Sequence, residues 1–416
     1  MRVYVLWAPS GPEARDDPGA RLATALHYQL DALGMTRDGV GFRIPVRKRS
    51  TNWRDTDRPQ AIDWTTARSN IVILVVDDVM RNRPAEWADY IRDVVTHVKD
   101  SQSDMLLPVR VSQGELSYVH LATQGIVADT PEADEGWESW TRRITMYVMG
   151  AVWAQQRNVR LAMSRAMIEQ STSAQGRSPA DLKITIFLSH AKMDGEGVAL
   201  LLERFKEAKP NPRAGEVRVN SVEMFFDASD TVAGDEYAKQ FEDTIKGGAL
   251  LGIITDAYHG RPWCMWEMLT AKRHGSPIVV WDLSHTGTSR SFPYLGNVPL
   301  IRTPKVGYDN SQGMPRIDVN SIDRADVERV LLGLLSEAMR MEVWAADAQR
   351  RVDDRLAPGQ AIVVCPRPPE LAELAHHHAQ TPTDIVYPDP PVCRHEKELI
   401  NKAFPNVRLM ALSELL

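Results

Sequence analysis

Residues 183–194 read KITIFLSHAKMD, and residues 224–281 read MFFDASDTVAGDEYAKQFEDTIKGGALLGIITDAYHGRPWCMWEMLTAKRHGSPIVVW. Four short apolar runs punctuate this stretch: KITIFL (183–188), the run ending Met224-Phe225-Phe226, ALLGII (249–254) and IVVW (278–281). Continuous Val, Ile and Leu bounded by polar residues is what a strand covered on both faces needs. Between the first two, Val198, Leu201, Leu202 and Phe205 recur at i, i+3, i+4 and i+7, one face of a helix. Tyr237, Phe241 and Ile245 share another such face. Strands alternating with helices predict an α/β layer fold on a parallel sheet.

The same rhythm extends both ways. RVYVLWA (2–8), NIVILVV (70–76) and MLLPVRV (105–111) read as buried strands, with helix spacing over 20–33 and 86–98. Trp137, Trp140, Ile144, Tyr147 and Val148 predict a long amphipathic helix over 137–168. STSAQGRSPA (171–180) is small and polar with Gly and Pro, and reads as a linker. Downstream, Val327, Leu331, Leu334 and Leu335 mark a helix with Asp323 as its N-cap. AIVVC (361–365), DIVY (384–387), a helix near 395–403 and NVRLMAL (406–412) form a smaller α/β unit. The expected domains are 1–170, 180–305 and 320–416.

Composition bounds the class. At roughly 150 residues per domain, 416 residues imply two or three domains. Hydrophobic residues at 43% and charged ones at 25% suit packed cores and exclude wholesale disorder. The net charge is -6 with no long basic run, so nucleic acid is not an expected partner. Cys264, Cys365 and Cys393 are too few and too scattered for a disulfide framework or a zinc site. The opening MRVYVLWAPSG lacks a signal peptide's apolar core and cleavage site, and no apolar run approaches the roughly 18 residues a bilayer span requires. A cytoplasmic chain with no membrane partner is expected.

In open α/β sheets ligands bind outside the carboxyl ends of the strands. Three loops converge there. Ser189, His190 and Asp194 follow the first strand, Asp227 to Gly234 follow the second, and Trp263 to Glu267 open a helix after the strand ending near Thr255. Glu267 is the inward carboxylate, and Trp263 and Trp266 can wall a pocket and stack on a flat ring. Plainer readings stand beside these. Glu267 also suits an ordinary helix-start glutamate favoured by the dipole. Trp263 also fits the core rim, and Cys264 a small buried residue. Ser189 and His190, adjacent on extended chain, point apart and read as ribose or phosphate contacts rather than a hydrolase dyad. The loop from Asp227 to Gly234 also suits self-association. His376, His377 and His378 lack Cys or acidic partners at ligand spacing and read as a solvated helix end, so no metal site is expected.

In order and spacing, these pieces resemble the Toll/interleukin receptor (TIR) domain. The matching elements are Phe187-Leu188-Ser189-His190 with Asp194, Phe226-Asp227 with Gly234, Tyr258, Trp263-Cys264-Met265-Trp266-Glu267 and the strand after Pro277. They cover roughly a quarter of the chain. The resemblance implies a flavodoxin-like parallel sheet and a bacterial defence effector that consumes NAD+, activated by oligomerisation. In the family's NAD-cleaving members the glutamate of W-C-x-x-E is catalytic; here that residue is Glu267. Phe187, Ser189, His190, Asp227, Gly234, Trp263 and Trp266 would bind substrate. Cleavage passes through an oxocarbenium-like transition state that a carboxylate stabilises. The nicotinamide nitrogen is already cationic and leaves neutral, so no general acid, metal or separate cofactor is required; NAD+ is the substrate. The products are nicotinamide and ADP-ribose or a cyclic form, which in a further reading serves as a signal for a separate effector. The implied partners are NAD+ and other TIR domains. The alternative the family offers is a non-enzymatic scaffold.

The amino-terminal segment echoes this order. Ile71 to Val76 matches Ala249 to Ile254 at an offset of 178, which carries Glu267 onto Asp89. A TIR-like domain that keeps a tryptophan but has lost W-C-x-x-E, serving in sensing or pairing, is one reading. The shared rhythm of any two α/β units is the other.

Overall fold

A computed structural model describes residues 1–11, 15–32, 44–50, 59–82, 85–101, 103–111, 126–127, 136–169, 184–207, 222–225, 235–285, 296–303, 306–309, 316–355, 362–378 and 383–415. These fall into two compact units, one within Met1–Lys183 and one made of Ile184–Glu207 with Val222–Leu416. The expected linker, 171–180, lies outside the described residues.

The first unit runs β1 (Arg2–Leu6), α1 (Pro18–Leu26), β2 (Val46–Arg49), β3 (Asn70–Val76), α2 (Asp78–Arg81), α3 (Ala85–Asp100), β4 (Met105–Arg110), β5 (Ile126–Val127) and α4 (Trp137–Glu169). Its sheet is ordered β2-β1-β3-β4-β5, every pair parallel. All seven residues of the central strand β3 are buried, which is why its sequence has no polar alternation. Trp87, Tyr90, Ile91 and Val94 of α3 face this sheet as one helical stripe.

The second unit runs β6 (Ile184–Ser189), α5 (Gly195–Glu207), β7 (Val222–Phe225), α6 (Asp235–Ile245), β8 (Ala249–Ile254), α7 (Pro262–Arg273), β9 (Ile278–Asp282), β10 (Leu300–Arg302), an antiparallel pair β11 (Gly307–Asp309) and β12 (Arg316–Asp318), then α8 (Arg324–Arg355). Five strands form a parallel sheet ordered β7-β6-β8-β9-β10. Phe187, Leu250, Ile254 and Ile278 of its strands pack with Phe241, Ile245, Met268 and Ala271 of α6 and α7. Asp323 caps α8, accepting from the Asp326 amide at 2.8 Å.

The turn from α6 into β8 leaves no room for a side chain. A Cβ on Gly248 would overlap the Thr185 carbonyl oxygen and lie 3.0 Å from that of Thr244. Backbone oxygens cannot rotate aside, so Gly248→Ala is expected to cost about 1–3 kcal/mol, read as a lower thermal midpoint.

The chain closes with β13 (Ile362–Val364), α9 (Leu371–His378), β14 (Thr383–Tyr387), α10 (Arg394–Ala403) and β15 (Val407–Ala411), a parallel sheet ordered β13-β14-β15. It belongs to the same compact unit as the five-stranded sheet, and α8 packs on β8, β9 and β13. The histidine tract ends α9, and among the described residues no group of three or more His, Cys, Asp or Glu is placed to hold a metal ion. No described helix is long and apolar enough to cross a membrane.

His274, at the end of α7, and His377 on α9 each carry a ring nitrogen buried without a hydrogen-bond partner. Burial is the main cause lowering both from the ordinary 6.5, and a charge on His376 acts the same way. As pH falls through 6.5 the unfolded chain takes these protons first, so stability present above that pH is lost below it. The thermal midpoint is expected to fall between pH 6.5 and about 5, and to fall less in a His274→Leu, His377→Leu variant.

Candidate functional site

The five-stranded sheet of the second unit reverses its winding between β6 and β8. The chain leaves β6 through α5 toward β7, on one side, and leaves β8 through α7 toward β9, on the other. A crevice forms at the carboxyl ends of two strands whose connections diverge. Ser189 is the last residue of β6, opposite Gly252 of β8, so its side chain stands at this point.

Ser189 is fully buried, and its hydroxyl donates to Glu267 Oε2 at 2.7 Å. The Tyr258 hydroxyl lies 2.7 Å from the same Ser189 oxygen. Ser189 has one hydroxyl proton and directs it at the carboxylate, so Tyr258 is the donor to Ser189. The result is a one-way relay, Tyr258 to Ser189 to Glu267. Gly252 borders it: a Cβ there would lie 3.6 Å from the Tyr258 hydroxyl, an ordinary contact, and 3.2 Å from the flexible end of Met268.

Glu267 is 6% exposed and is the sixth residue of α7, beyond the first turn. Helix-dipole stabilisation fades within that turn, so it does not account for a buried carboxylate here. The groups around it stay protonated. Burial holds the Tyr258 phenol well above its usual 10.0. Burial, and then the charge of Glu267, push the Cys264 thiol up to about 12. Cys264 is thus a donor, to the His190 carbonyl at 3.2 Å, and not a nucleophile.

Two further contacts pin the loops together. Thr255, just past β8, donates to Asp194 Oδ2 at 2.5 Å, and the Ala257 amide donates back to the Thr255 hydroxyl at 3.2 Å. The Cys264 bond ties the start of α7 to the loop after β6. Beside Glu267 stands a row of rings. Trp263 is 52% exposed and meets Trp266 edge-on at 5.6 Å; Trp266 leans on Phe241 at 5.2 Å, and Phe241 on Phe187 at 4.6 Å. Phe187 therefore lies in the core beneath the tryptophans.

The structure brings Ser189 and Glu267 into contact, with Trp263 one helical turn before the carboxylate on α7 and Trp266 the residue next to it. His190 Nδ1 lies 3.3 Å from the Leu188 carbonyl oxygen, while the Ser189 hydroxyl proton goes to Glu267. Phe226, Asp227 and Gly234 lie outside the described residues. Sequence reasoning used Tyr258 only as a strand-end marker and passed over Gly252. Their role depends on the register that sets β6 beside β8.

The corresponding place in the first unit differs. Its sheet has the same order, counted from its own first strand, as 2-1-3-4-5. Aligning Ile71–Val76 with Ala249–Ile254 sets Leu74 in the place of Gly252, and the pairing of β1 with β3 sets Leu6 in that of Ser189. On α3 the burial phase points Tyr90 inward, whereas Asp89 faces solvent beside Arg92. The Asp89 register is thereby corrected: buried Trp87, Tyr90, Ile91 and Val94 match buried Cys264, Glu267, Met268 and Ala271 at an offset of 177, so Tyr90 takes the position of Glu267.

Compared with known protein families and with curated protein sequences, the chain gives no match.

Proposed function

We propose that the five-stranded sheet of the second unit is a flavodoxin-like TIR domain and that the chain is an NAD+ nucleosidase of the kind used in bacterial antiphage defence. The observation that carries this reading is the Glu267 carboxylate, buried at the winding reversal and held by Ser189 at 2.7 Å. The strand order 2-1-3-4-5, which flavodoxin-like folds share, supports it.

The chemistry asks little beyond that carboxylate. The bond between ribose C1′ and the nicotinamide nitrogen breaks, and its electron pair neutralises the cationic ring, which departs as nicotinamide. Positive charge grows on C1′ and the ring oxygen, where a fixed carboxylate in a water-poor site stabilises it. Water then adds at C1′ and loses a proton, giving ADP-ribose; attack by an adenine nitrogen of the same molecule instead gives a cyclic product. Ser189 fixes the carboxylate, and Trp263 and Trp266 offer faces for a flat ring. In the same reading the first unit is a TIR-like domain without catalysis: leucines stand where the second unit has Ser189 and Gly252, and a tyrosine where it has Glu267. Its role is then pairing with other TIR domains.

The test is purified full-length chain, at several concentrations, with NAD+, following nicotinamide and separating linear from cyclic ADP-ribose. Release rising more steeply than protein concentration is expected for an enzyme switched on by self-association. No release at any concentration sinks the enzymatic reading in favour of a scaffold.

A further inference from the structure

The helix that carries Glu267 is gripped at its far end by the carboxy-terminal part of the same unit. α7 closes on Gly275 at φ 62°, with the Gly275 amide bonded to the Lys272 carbonyl and the Ser276 amide to the Ala271 carbonyl, a glycine cap of Schellman type. The loop after β13 lies on this cap: Pro366 approaches Gly275, and Arg367 reaches into the helix end. Arg367 is 7% exposed, and its guanidinium donates to the Ser276 carbonyl at 2.8 Å and the Lys272 carbonyl at 3.5 Å. It also lies 3.7 Å from Met341 Sδ of α8. Three residues on, Glu370 takes the Lys272 ammonium at 2.5 Å, and that ammonium also donates to the Gly296 carbonyl at 2.8 Å.

The chemistry of this grip is unusual for a seam between packed elements. Arg367, Lys272 and Arg340 bring three cations to it, and Glu337, Glu370 and Glu373 three anions. Burial works against the charge of Arg367 and is offset only in part by Glu373, Glu337 and Glu370. A buried ionic network adds little net stability over apolar packing, and its best-attested use is to fix one register. Here the register fixed is that of α7. Lys272 lies five residues from Glu267, about 7.5 Å along a rigid helix, so a displacement at one end is felt at the other. At its near end α7 is held by the bonds of Cys264 to the His190 carbonyl and of Ser189 to the Glu267 carboxylate.

We propose that Arg367 is a positioning residue for Glu267, capping α7 so that the carboxy-terminal βαβαβ sheet sets where the carboxylate stands. The catalytic part of this inference rests on the NAD+ nucleosidase reading; the mechanical part does not.

The experiment compares full-length wild type with Arg367→Ala and Arg367→Lys by two readouts. The first is amide hydrogen exchange. In Arg367→Ala the amides of α7, including the turn around Glu267, are expected to exchange faster while those of β8 hold. Arg367→Lys, which keeps the charge but loses the fork, is expected to fall between. The second is steady-state nicotinamide release well below the thermal midpoint. A carboxylate displaced by an ångström lowers kcat by about 10²-fold, with KM unchanged, in Arg367→Ala. Unchanged exchange at the Glu267 turn overturns the proposal whatever the activity does. So does a loss of activity that only follows the folded fraction. If wild type releases no nicotinamide, the nucleosidase reading fails, and the exchange data alone decide whether Arg367 holds the helix. Should Arg367→Ala not fold, Arg367→Lys carries both readouts.

Discussion

Glu267→Gln is expected to cut nicotinamide release by about 10³-fold, the scale on which removal of one preorganised electrostatic group slows a reaction with developing charge. Glutamine keeps the shape of the side chain and can still accept the Ser189 proton at the oxygen that now takes it at 2.7 Å. What it loses is the negative charge that, in the proposed reaction, faces ribose C1′. A glutamate present only to complete the fold would tolerate this change and suffer more from alanine. A charge that acts on the reaction makes glutamine and alanine nearly equal in kcat, with the folded protein intact in both. The neighbours rank below it. Ser189→Ala deprives both Glu267 and Tyr258 of a buried partner, so kcat falls by about 10-fold or more. Tyr258→Phe leaves the bond between Ser189 and Glu267 in place and costs less. Activity that survives Glu267→Gln would remove the residue from the chemistry, and a reversed order for Ser189 and Tyr258 would overturn the direction of the relay.

Much of this architecture is written in local runs of sequence. Asn70–Val76 and Ala249–Ile254 are strands over the very residues their apolar runs mark, because central parallel strands are buried on both faces. Two edge strands leave no such signature. β2 reads VRKR, with Arg47 and Lys48 exposed, and β10 exposes Leu300 and Arg302. Charge at a sheet edge blunts unwanted pairing and erases the apolar pattern that would mark a strand. The site divides the same way. Ser189 and Glu267 were legible because one closes a strand and the other lies early in a helix, each within a recognisable motif. Tyr258 and Gly252 come beside Ser189 only when β6 is set next to β8, 63 positions apart at the pairing of Ile186 with Ala249. Asp89 shows the limit in one residue: strand matching gives one offset, the burial phase of the helices another, and a single position turns an inward residue outward.

Lys272 and Glu370, 98 residues apart, lay beyond any local pattern, and they yield the largest expected effect on stability. The Lys272 side chain is 3% exposed and that of Glu370 17%, so removing one partner strands the other in a poor solvent for charge. Lys272→Met is expected to cost about 3–5 kcal/mol, the cost of breaking a buried pair from one side. In a unit this size that is a fall of roughly 6–20 °C in thermal midpoint. Glu370→Leu strands an ammonium instead; burial already works against that charge, and Glu370 is the partner that sustains it. Lys272→Met with Glu370→Leu removes both charges and leaves the network neutral, so the double variant is expected to be more stable than either single one. The two changes are then strongly non-additive, as contacts within one network are. Calorimetry of the four proteins reads this directly, and additive losses would mean that the pair is not coupled. The helix grip adds a second expectation. If an apolar pair restores stability but not the faster exchange of α7 amides to the wild-type rate, the ionic pair specifies the register of the helix and not merely its attachment. If stability and exchange recover together, the charges of Lys272 and Glu370 do not specify the helix register, which is left to packing, the backbone cap and Arg367.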